Sequence, residues 1–301
     1  MAMEFDLTFD AQPGEPVEIA DNVRRITAPN PGPFTFRGTN TYLVGTERLV
    51  LVDPGPDDEA HLAAILDALG GAPLEAILVT HTHLDHTGLT AKLKAATGAL
   101  VYAEGPHRAA RTLHEGETNA LDAGADRGFA PDIRVGDGET VRFGASSFTA
   151  IATPGHAANH LAFALEGTPA LFSGDHVMAW STTIVAPPDG SMADYMASLD
   201  KLMARPESLY LPGHGAPLER PLPFMRALRS HRRMREAAIL ERLQSGDRTI
   251  PEIVAALYAT TDRRLHGAAG LSVLAHLEDL VGRGLAASDG PPLIGARFER
   301  V

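Results

Sequence analysis

The sequence contains no cysteine among its 301 residues. This absence excludes disulfide bridges and thiolate ligands, so any metal ion must be held by imidazole nitrogens and carboxylate oxygens. The chain has 13 histidines and 38 acidic residues that could serve in this way. A metal site in this protein is therefore predicted to consist of histidine with aspartate or glutamate.

Long apolar runs are also missing, because no stretch of the sequence approaches the roughly 20 apolar residues that a membrane-spanning helix requires. The first fifteen residues, MAMEFDLTFDAQPGE, carry four acids and no base. They resemble neither a secretory signal nor an arginine-rich transit peptide. We therefore expect a cytoplasmic protein that does not bind membranes.

Positive charge is scarce in the first two thirds of the chain. Residues 1–219 contain 13 Lys and Arg against 29 Asp and Glu, whereas residues 220–301 contain 13 Arg against nine acids. The two parts therefore carry net charges of −16 and +4. Because this change coincides with a new sequence pattern near Pro221, we predict two domains, 1–219 and 220–301.

The first domain is predicted to be rich in strands with interspersed helices, which is an α/β fold class. Short β-branched runs between glycine and proline turns predict its strands, and these runs are 17–27, 40–44, 49–53, 76–80, 148–153, 161–164 and 170–173. Helical patterns lie at 57–69, 88–97 and 194–204.

The second domain shows a different pattern. It begins with a long amphipathic helix over 224–243, and a second helix over 249–258 opens with the spacing of a capping box. A third helix at 272–282 and a strand pair around 285–298 follow. Helices followed by a hairpin are typical of a winged-helix module, and any oligomer is expected to form through this part of the chain.

Four titratable side chains lie close together in the stretch VTHTHLDHTG, residues 79–88. The apolar run before it predicts a buried strand, and loops that follow such strands in α/β layers commonly bind ligands. His81 and His83 can face one metal ion, and Asp85 and His86 can face a second. This cluster indicates a metal site, although four residues cannot complete two sites, so further ligands are expected downstream.

Three further candidates follow strand-like runs downstream. His156 lies in ATPGH, Asp175 in FSGD, and His214 in LPGHG. Each candidate directly follows a glycine or is flanked by glycine, which permits the close backbone approach that a crowded metal centre requires. The sequence therefore predicts that these side chains join the first four.

The motifs HTHLDH, TPGH, SGD and PGHG, in this order, resemble the metallo-β-lactamase-fold superfamily. The stretches PNPGP, GTNTYLVG, DYMASL and HRRMRE are also similar to the β-lactamase-like protein 2 family, which carries a carboxyl-terminal winged-helix-like domain. The resemblance implies a four-layer αββα sandwich followed by that domain. The best-studied members of the family are endoribonucleases that prefer single-stranded RNA.

The same resemblance implies a set of metal ligands. His81, His83 and His156 would hold one zinc ion, the second would be held by Asp85, His86 and His214, and Asp175 would bridge the two. Such ligand sets also accept iron or manganese. Two such ions would lower the pKa of a shared water toward neutrality, and Asp85 is expected to orient this water and accept its proton, which leaves a hydroxide as the nucleophile.

The metal ligands alone do not select the bond that is hydrolysed. Our leading hypothesis is cleavage of single-stranded RNA, because the tail is basic and one helix carries Arg226, Arg229, Arg232, Arg233 and Arg235. The same arginines could instead only pack that helix. The alternatives are hydrolysis of a small thioester, as in glyoxalase II, or of a lactone. A metal-stabilised interaction module without catalysis is a further alternative.

Four other features near the motifs carry weaker signals. Asp53 is expected to fix the histidine loop by hydrogen bonds, and His160 is either a partner of a ligand or a buried core residue. Trp180 either forms a substrate wall or packs. The segment 183–191 is rich in proline and glycine and is predicted to cover the pocket.

Overall fold

The computed structural model of the protein describes residues 4–119 and 122–301. A seven-stranded sheet, hydrogen-bonded in chain order, forms one half of the first domain. Its strands are Val17–Ala20 (β1), Val23–Thr27 (β2), Asn40–Val44 (β3), Leu49–Val52 (β4), Leu74–Leu78 (β5), Leu100–Ala103 (β6) and Ile133–Arg134 (β7). Strands β4 to β7 run parallel, so their carboxyl ends meet at one edge of the sheet.

A five-stranded sheet forms the other half. Its strands are Thr140–Phe143 (β8), Ser146–Ala152 (β9), Leu161–Leu165 (β10), Ala170–Gly174 (β11) and Leu209–Pro212 (β12). Their order in the sheet is β12-β11-β10-β9-β8, and only the β11–β12 pair is parallel.

Seven α-helices complete the described part of the chain. They are Glu59–Leu69 (α1), Leu84–Thr87 (α2), Thr90–Thr97 (α3), Met192–Met203 (α4), Pro221–Gln244 (α5), Ile250–Leu257 (α6) and His266–Gly282 (α7). Short 3-10 helices lie at Asp122–Gly124 and Arg263–Leu265, and a final strand pair is formed by Ala286–Ser288 (β13) and Phe298–Arg300 (β14). None of the described helices combines the length and apolarity needed to cross a membrane.

The alternation of side chains along each strand builds the layers. On β5, Leu78 packs between the sheets against Phe148 and Phe163. Its neighbour Ile77 points the other way, into a core that includes side chains of α1 and α3. On the far side of the second sheet, alternate side chains pack against α4 and α5. The two sheets are thus sandwiched between helices, which confirms the predicted αββα fold.

Helix α5 contributes to both domains. Met225 and Leu228, near its start, pack with α4 and the second sheet. Ile239 and Leu243, near its end, belong to a separate core formed with α6, α7 and the last strand pair. The capping box predicted at Thr249 is present, with reciprocal hydrogen bonds to Glu252. This second core corresponds to the module predicted after residue 220.

Two predictions about the strands are wrong. The stretch 17–27 is not one strand but a hairpin, because Asn22 adopts a positive φ of 60° between β1 and β2. Strands β6, β7 and β8 were not predicted from the sequence, whereas the strand-like run before His214 corresponds to β12. Strand β7 has only two residues, both exposed, and β8 alternates between exposed and half-buried side chains. Such short edge strands lack the apolar run that identifies a buried strand.

Candidate metal centre

The structure brings all seven predicted ligand side chains together at one edge of the sandwich. The chain reaches this edge where β5, β9, β11 and β12 end, so residues far apart in sequence become neighbours. The first group is His81, His83 and His156, and the second group is Asp85, His86 and His214. A third set, His81 with His86 and Asp175, overlaps both and links them.

The first group consists of three imidazole rings. His83 Nδ1 lies 2.9 Å from His81 Nε2 and 3.0 Å from His156 Nε2. His81 and His83 share this point because the backbone is extended at His83, with φ of −82° and ψ of 145°. Alternate side chains of an extended segment lie on the same side, as the spacing of the two histidines predicted.

The second group lies beside the first. Asp85 Oδ2 is 3.4 Å from His86 Nε2 and 3.3 Å from His214 Nε2. Asp175 lies between the groups, with Oδ2 at 3.3 Å from His214 Nε2 and 3.7 Å from His156 Nε2. This carboxylate therefore lies between the two groups, and its role as a bridge between two ions stays a prediction.

The rings are oriented by hydrogen bonds on their outer nitrogens. His156 Nδ1 donates to the carbonyl of Ile184 at 2.7 Å, and His86 Nδ1 donates to Asp53 Oδ2 at 2.9 Å. His214 Nδ1 faces the carbonyl of Gly38 at 3.3 Å. A neutral ring whose Nδ1 carries the proton presents a lone pair at Nε2. These three Nε2 lone pairs point toward the centre, as metal ligands require.

Two buried atoms of the centre lack a hydrogen-bond partner among the described residues, His86 Nε2 and Asp175 Oδ1. Such orphaned atoms are costly unless another group binds them. Around zinc held at 2.0–2.1 Å, tetrahedral nitrogens would lie about 3.3 Å apart, close to the separations seen here. The donor set of imidazoles and carboxylates thus fits two divalent metal ions, and the assignment of these residues as ligands remains a prediction.

The two groups differ in their electrostatics. Burial, reinforced by the neighbouring His156, lowers the pKa of His83 to about 3. Burial also opposes the charged form of His214, but Asp175 and Asp85 outweigh it and raise the pKa of His214 to about 9. Opposite charges close by favour the protonated ring. The carboxylates of the second group therefore attract positive charge, which a metal ion would also supply.

Removal of metal with a chelator is expected to leave His214 protonated at neutral pH. Its protonated form is stabilised by carboxylates, so in the metal-free protein its ring resonances should titrate by NMR with a midpoint near 9. His61, whose pKa burial lowers to about 4, serves as an internal control. The stability that this contact gives should be present below pH about 6.5 and be lost as the pH rises through about 9. A midpoint near the ordinary value of about 6.5 would contradict this.

Asp53 and His160 are not predicted ligands, but they form hydrogen bonds to the residues of the centre. Asp53 accepts hydrogen bonds from the Thr80 backbone NH and hydroxyl, both at 2.7 Å, in addition to His86. His160 accepts from the Asp175 backbone NH at 3.1 Å, and its Nδ1 lies 2.8 Å from the Thr153 hydroxyl. Asp53 therefore orients the histidine loop as predicted, and His160 positions the backbone of Asp175.

Gly213 is required by the tight packing of the centre. A Cβ atom at this position would lie 2.4 Å from Asp175 Oδ1 and 2.6 Å from His86 Cε1. Contacts this short do not occur, so any side chain here would displace two predicted ligands. This explains the glycine that precedes His214 in the motif.

A cavity of about 430 Å³ opens onto the centre. Apart from predicted ligands, its lining is mainly apolar and consists of Pro33, Phe34, Ala123, Gly124, Met178, Trp180, Ser181, Thr182 and Ile184. The lining contains no Lys or Arg among the residues that the structure describes. Trp180 therefore lies in a pocket wall, as one of its two predicted roles requires. Of the segment 183–191, which is predicted to cover the pocket, Ile184 lines the cavity.

A stack of aromatic rings supports Trp180 from behind. Phe36 lies against it with ring centroids 4.9 Å apart and planes at 6°. Phe9 stacks on Phe36 at 6.4 Å, and the Arg25 guanidinium lies 4.5 Å from the Phe9 ring centroid. The amino-terminal segment thus contributes to the position of this wall.

Several residues that support the site were not identified from the sequence. Asn40 donates from its side chain to the carbonyls of Pro212 at 3.0 Å and Gly215 at 2.9 Å, which ties β3 to the loop of His214. The Thr39 hydroxyl donates to Asp85 Oδ2 at 3.3 Å. No local pattern distinguishes such residues, because their partners lie far along the chain.

Comparison with family models gives two matches. A model described as the metallo-beta-lactamase superfamily matches residues 34–214. A second model, described as the beta-lactamase associated winged helix domain, matches residues 249–291. Together they confirm the predicted fold class and the winged-helix domain.

Comparison with individual proteins agrees. The chain is 32% identical to a beta-lactamase-like protein 2 homolog from Caenorhabditis elegans over 239 residues, 76% of this chain and 74% of that one. It is 32% identical to an atrochrysone carboxyl ACP thioesterase from Passalora fulva, over 85% of this chain and 76% of that one. The fold is shared with a beta-lactamase domain protein from Burkholderia ambifaria, with a TM-score of 0.80, 24% identity and coverage of 99% and 97%.

Proposed function

The chain belongs to the metallo-beta-lactamase superfamily of hydrolases, and from this premise we propose that it uses two metal ions, zinc in the first instance, to hydrolyse a thioester of an apolar acyl group. The observation that carries the proposal is the pocket. Its described lining joins the predicted metal ligands to apolar side chains and contains no Lys or Arg.

The predicted ligands would hold the ions as two neighbouring groups. When bound, such a pair of ions polarises a carbonyl and supplies a nucleophile at neutral pH. Asp85 lines the pocket, and its side chain is partly exposed, unlike the buried Asp175. Asp85 is therefore the carboxylate that can accept a proton from a nucleophilic water while Thr39 holds its Oδ2 by a hydrogen bond.

The apolar walls favour an acyl substrate. Phe34, Met178, Trp180 and Ile184 surround the cavity and would contact a hydrocarbon or aromatic group whose carbonyl lies at the centre. Burying such a group is favourable by about 25 cal/mol per Å² of apolar surface. The walls therefore supply binding energy for an apolar acyl chain.

The leaving group favours a thioester over an oxygen ester or lactone. Every titratable side chain in the described lining is a predicted ligand, so the lining offers a departing alkoxide no acid other than the proton that Asp85 would have taken from the water. A thiolate needs no such acid, since thiols have a pKa of about 8.5. The thioesterase from Passalora fulva, named for its activity on a carrier-bound acyl group, is consistent with this choice.

RNA cleavage, our leading hypothesis from the sequence, is favoured less by the geometry. Of the five arginines of α5 on which this hypothesis was based, Arg229 pairs with Asp200, Arg232 is buried, and Arg235 contacts the Tyr258 ring. Only Arg226 and Arg233 are exposed. A polyanion also gains most of its affinity from Lys and Arg, which the described pocket lining lacks. RNA cleavage therefore stays a prediction to be tested beside thioester hydrolysis.

Purified zinc-loaded protein should be assayed on a series of acyl thioesters of increasing chain length, with the matched oxygen ester, a lactone, single-stranded RNA and a β-lactam. We expect thioesters to be the best substrates, with kcat/KM rising about fourfold for each methylene that the pocket buries, because one methylene contributes about 0.8 kcal/mol. His83→Ala protein serves as the blank that reveals a contaminating hydrolase. Turnover of RNA with inert thioesters would overturn the proposal.

Replacing Phe34 by serine is expected to weaken the selectivity for long acyl chains. Phe34 lines the pocket but is 54% exposed, so its loss should not affect folding. The expected loss in kcat/KM is about tenfold for the longest thioester, since up to about 1.5 kcal/mol of burial is removed, and is small for an acetyl thioester. Leu7→Ser, also at an exposed apolar position, is the matched control. An equal loss on both substrates would show that Phe34 does not contact the acyl chain.

A further inference from the structure

Arg232 on α5 is a buried cation at the junction of the winged-helix module with the catalytic domain. Only 4% of it is exposed. Its guanidinium donates a hydrogen bond to the backbone carbonyl of Thr183 and lies 5.1 Å from the centroid of the Tyr195 ring. A long contact of 3.5 Å reaches the Ser272 hydroxyl on α7.

No carboxylate pairs with Arg232 within residues 4–119 and 122–301, and its Nε atom has no hydrogen-bond partner there. Burying an unpaired charge is costly, and an apolar side chain of similar size would pack the same junction at lower cost. The carbonyl and the aromatic ring compensate only part of this cost. A residue retained for packing alone would not need a guanidinium at this position.

The contacts of Arg232 lead to the metal centre in two steps. Thr183, whose carbonyl Arg232 holds, is followed by Ile184, whose carbonyl accepts from His156 Nδ1 at 2.7 Å. The Thr183 hydroxyl also donates to the backbone carbonyl of Asp175 at 2.7 Å. The short segment 183–184 thus fixes the orientation of the His156 ring and the backbone of Asp175.

We propose that Arg232 is a positioning residue, which holds the Thr183 carbonyl and thereby places the adjacent Ile184 carbonyl so that His156 presents Nε2 to the first metal ion. The inference rests on the proposed metal centre. It assigns to the C-terminal domain a part in metal binding, because α5 supplies the guanidinium and α7 lies behind it. Asp85, His86 and His214 make no contact with the segment 183–184 among the described hydrogen bonds, so the second ion should depend on it only weakly, through the backbone of Asp175.

The test compares the stepwise zinc affinities of the full-length wild-type protein with those of Arg232→Met and Arg232→Lys by competition with a chromophoric chelator. Arg233→Met, exposed on the same helix, is the matched control. We expect Arg232→Met to weaken one of the two steps by about tenfold, the lower end of the effect of partners outside the ligands. The lysine variant, which keeps one donor and the charge, should recover part of that loss.

Unfolding by urea, followed for each variant, separates positioning from a structural role. Weakening of one zinc step well beyond that of the other supports the inference. Parallel weakening of both steps, or unchanged steps in a folded Arg232→Lys or Arg232→Met protein, overturns it. If the wild-type protein binds no zinc, the proposed metal centre itself fails, which is a different outcome from unchanged affinities in the variants.

Discussion

Replacing Asp175 by asparagine is expected to lower kcat/KM by about a thousandfold, whichever substrate the protein hydrolyses. The carboxylate lies between the two groups of ligands, with Oδ2 within 3.7 Å of both His156 Nε2 and His214 Nε2. Asparagine keeps the shape but removes the charge that would hold the two proposed cations together. Loss of several kcal/mol of transition-state stabilisation corresponds to such a factor.

The measurement is steady-state kinetics with metal content determined on the same sample. Asp200→Asn, which removes an exposed carboxylate on α4, is the control and should leave kcat/KM unchanged. Asp175→Asn protein is expected to retain less than two metal ions per chain. Full activity with two bound ions in this variant would show that Asp175 does not bridge them.

Gly213→Ala is expected to lower kcat/KM by about a hundredfold with little change in the global fold. A single methyl group here would overlap Asp175 Oδ1 and His86 Cε1, at 2.4 and 2.6 Å. Both side chains would have to move, and a misplacement of about 1 Å at a reacting centre can cost a factor of about a hundred.

A matched glycine-to-alanine change isolates this effect. Gly282 ends α7, and a Cβ atom there would meet nothing within 4 Å. Gly282→Ala should therefore retain full activity and metal content. Circular dichroism would show that both variants fold, and activity of Gly213→Ala at the level of Gly282→Ala would mean that the centre tolerates the displacement.

The sequence was most informative where function requires chemically distinctive side chains. His156, Asp175 and His214 stood out because each follows a strand-like run and a glycine, and the structure places all of them beside His81 and His86. The order of these motifs also identified the fold. A metal centre restricts both the residue types and the backbone space at its ligands. Short sequence motifs therefore suffice to identify those ligands.

Other features could not be predicted because they depend on contacts between distant segments. Phe34, Met178 and Ile184 form one pocket although up to 150 positions separate them. Arg232 belongs to a run of arginines that indicates a basic surface, yet it is buried against Thr183. Apolar and basic residues are common, so only tertiary packing distinguishes the few that line a site or support it.

The predicted ligands of each metal ion come from both sheets of the sandwich. His81, His83, Asp85 and His86 follow a strand of the first sheet, whereas His156 and His214 follow strands of the second. Each metal ion would therefore act as a cross-link between the sheets. Joining positions 83 and 156, or 86 and 214, closes long loops and lowers the entropy of the unfolded chain. In a protein without cysteine, metal ions would take the place of disulfides in tying its halves.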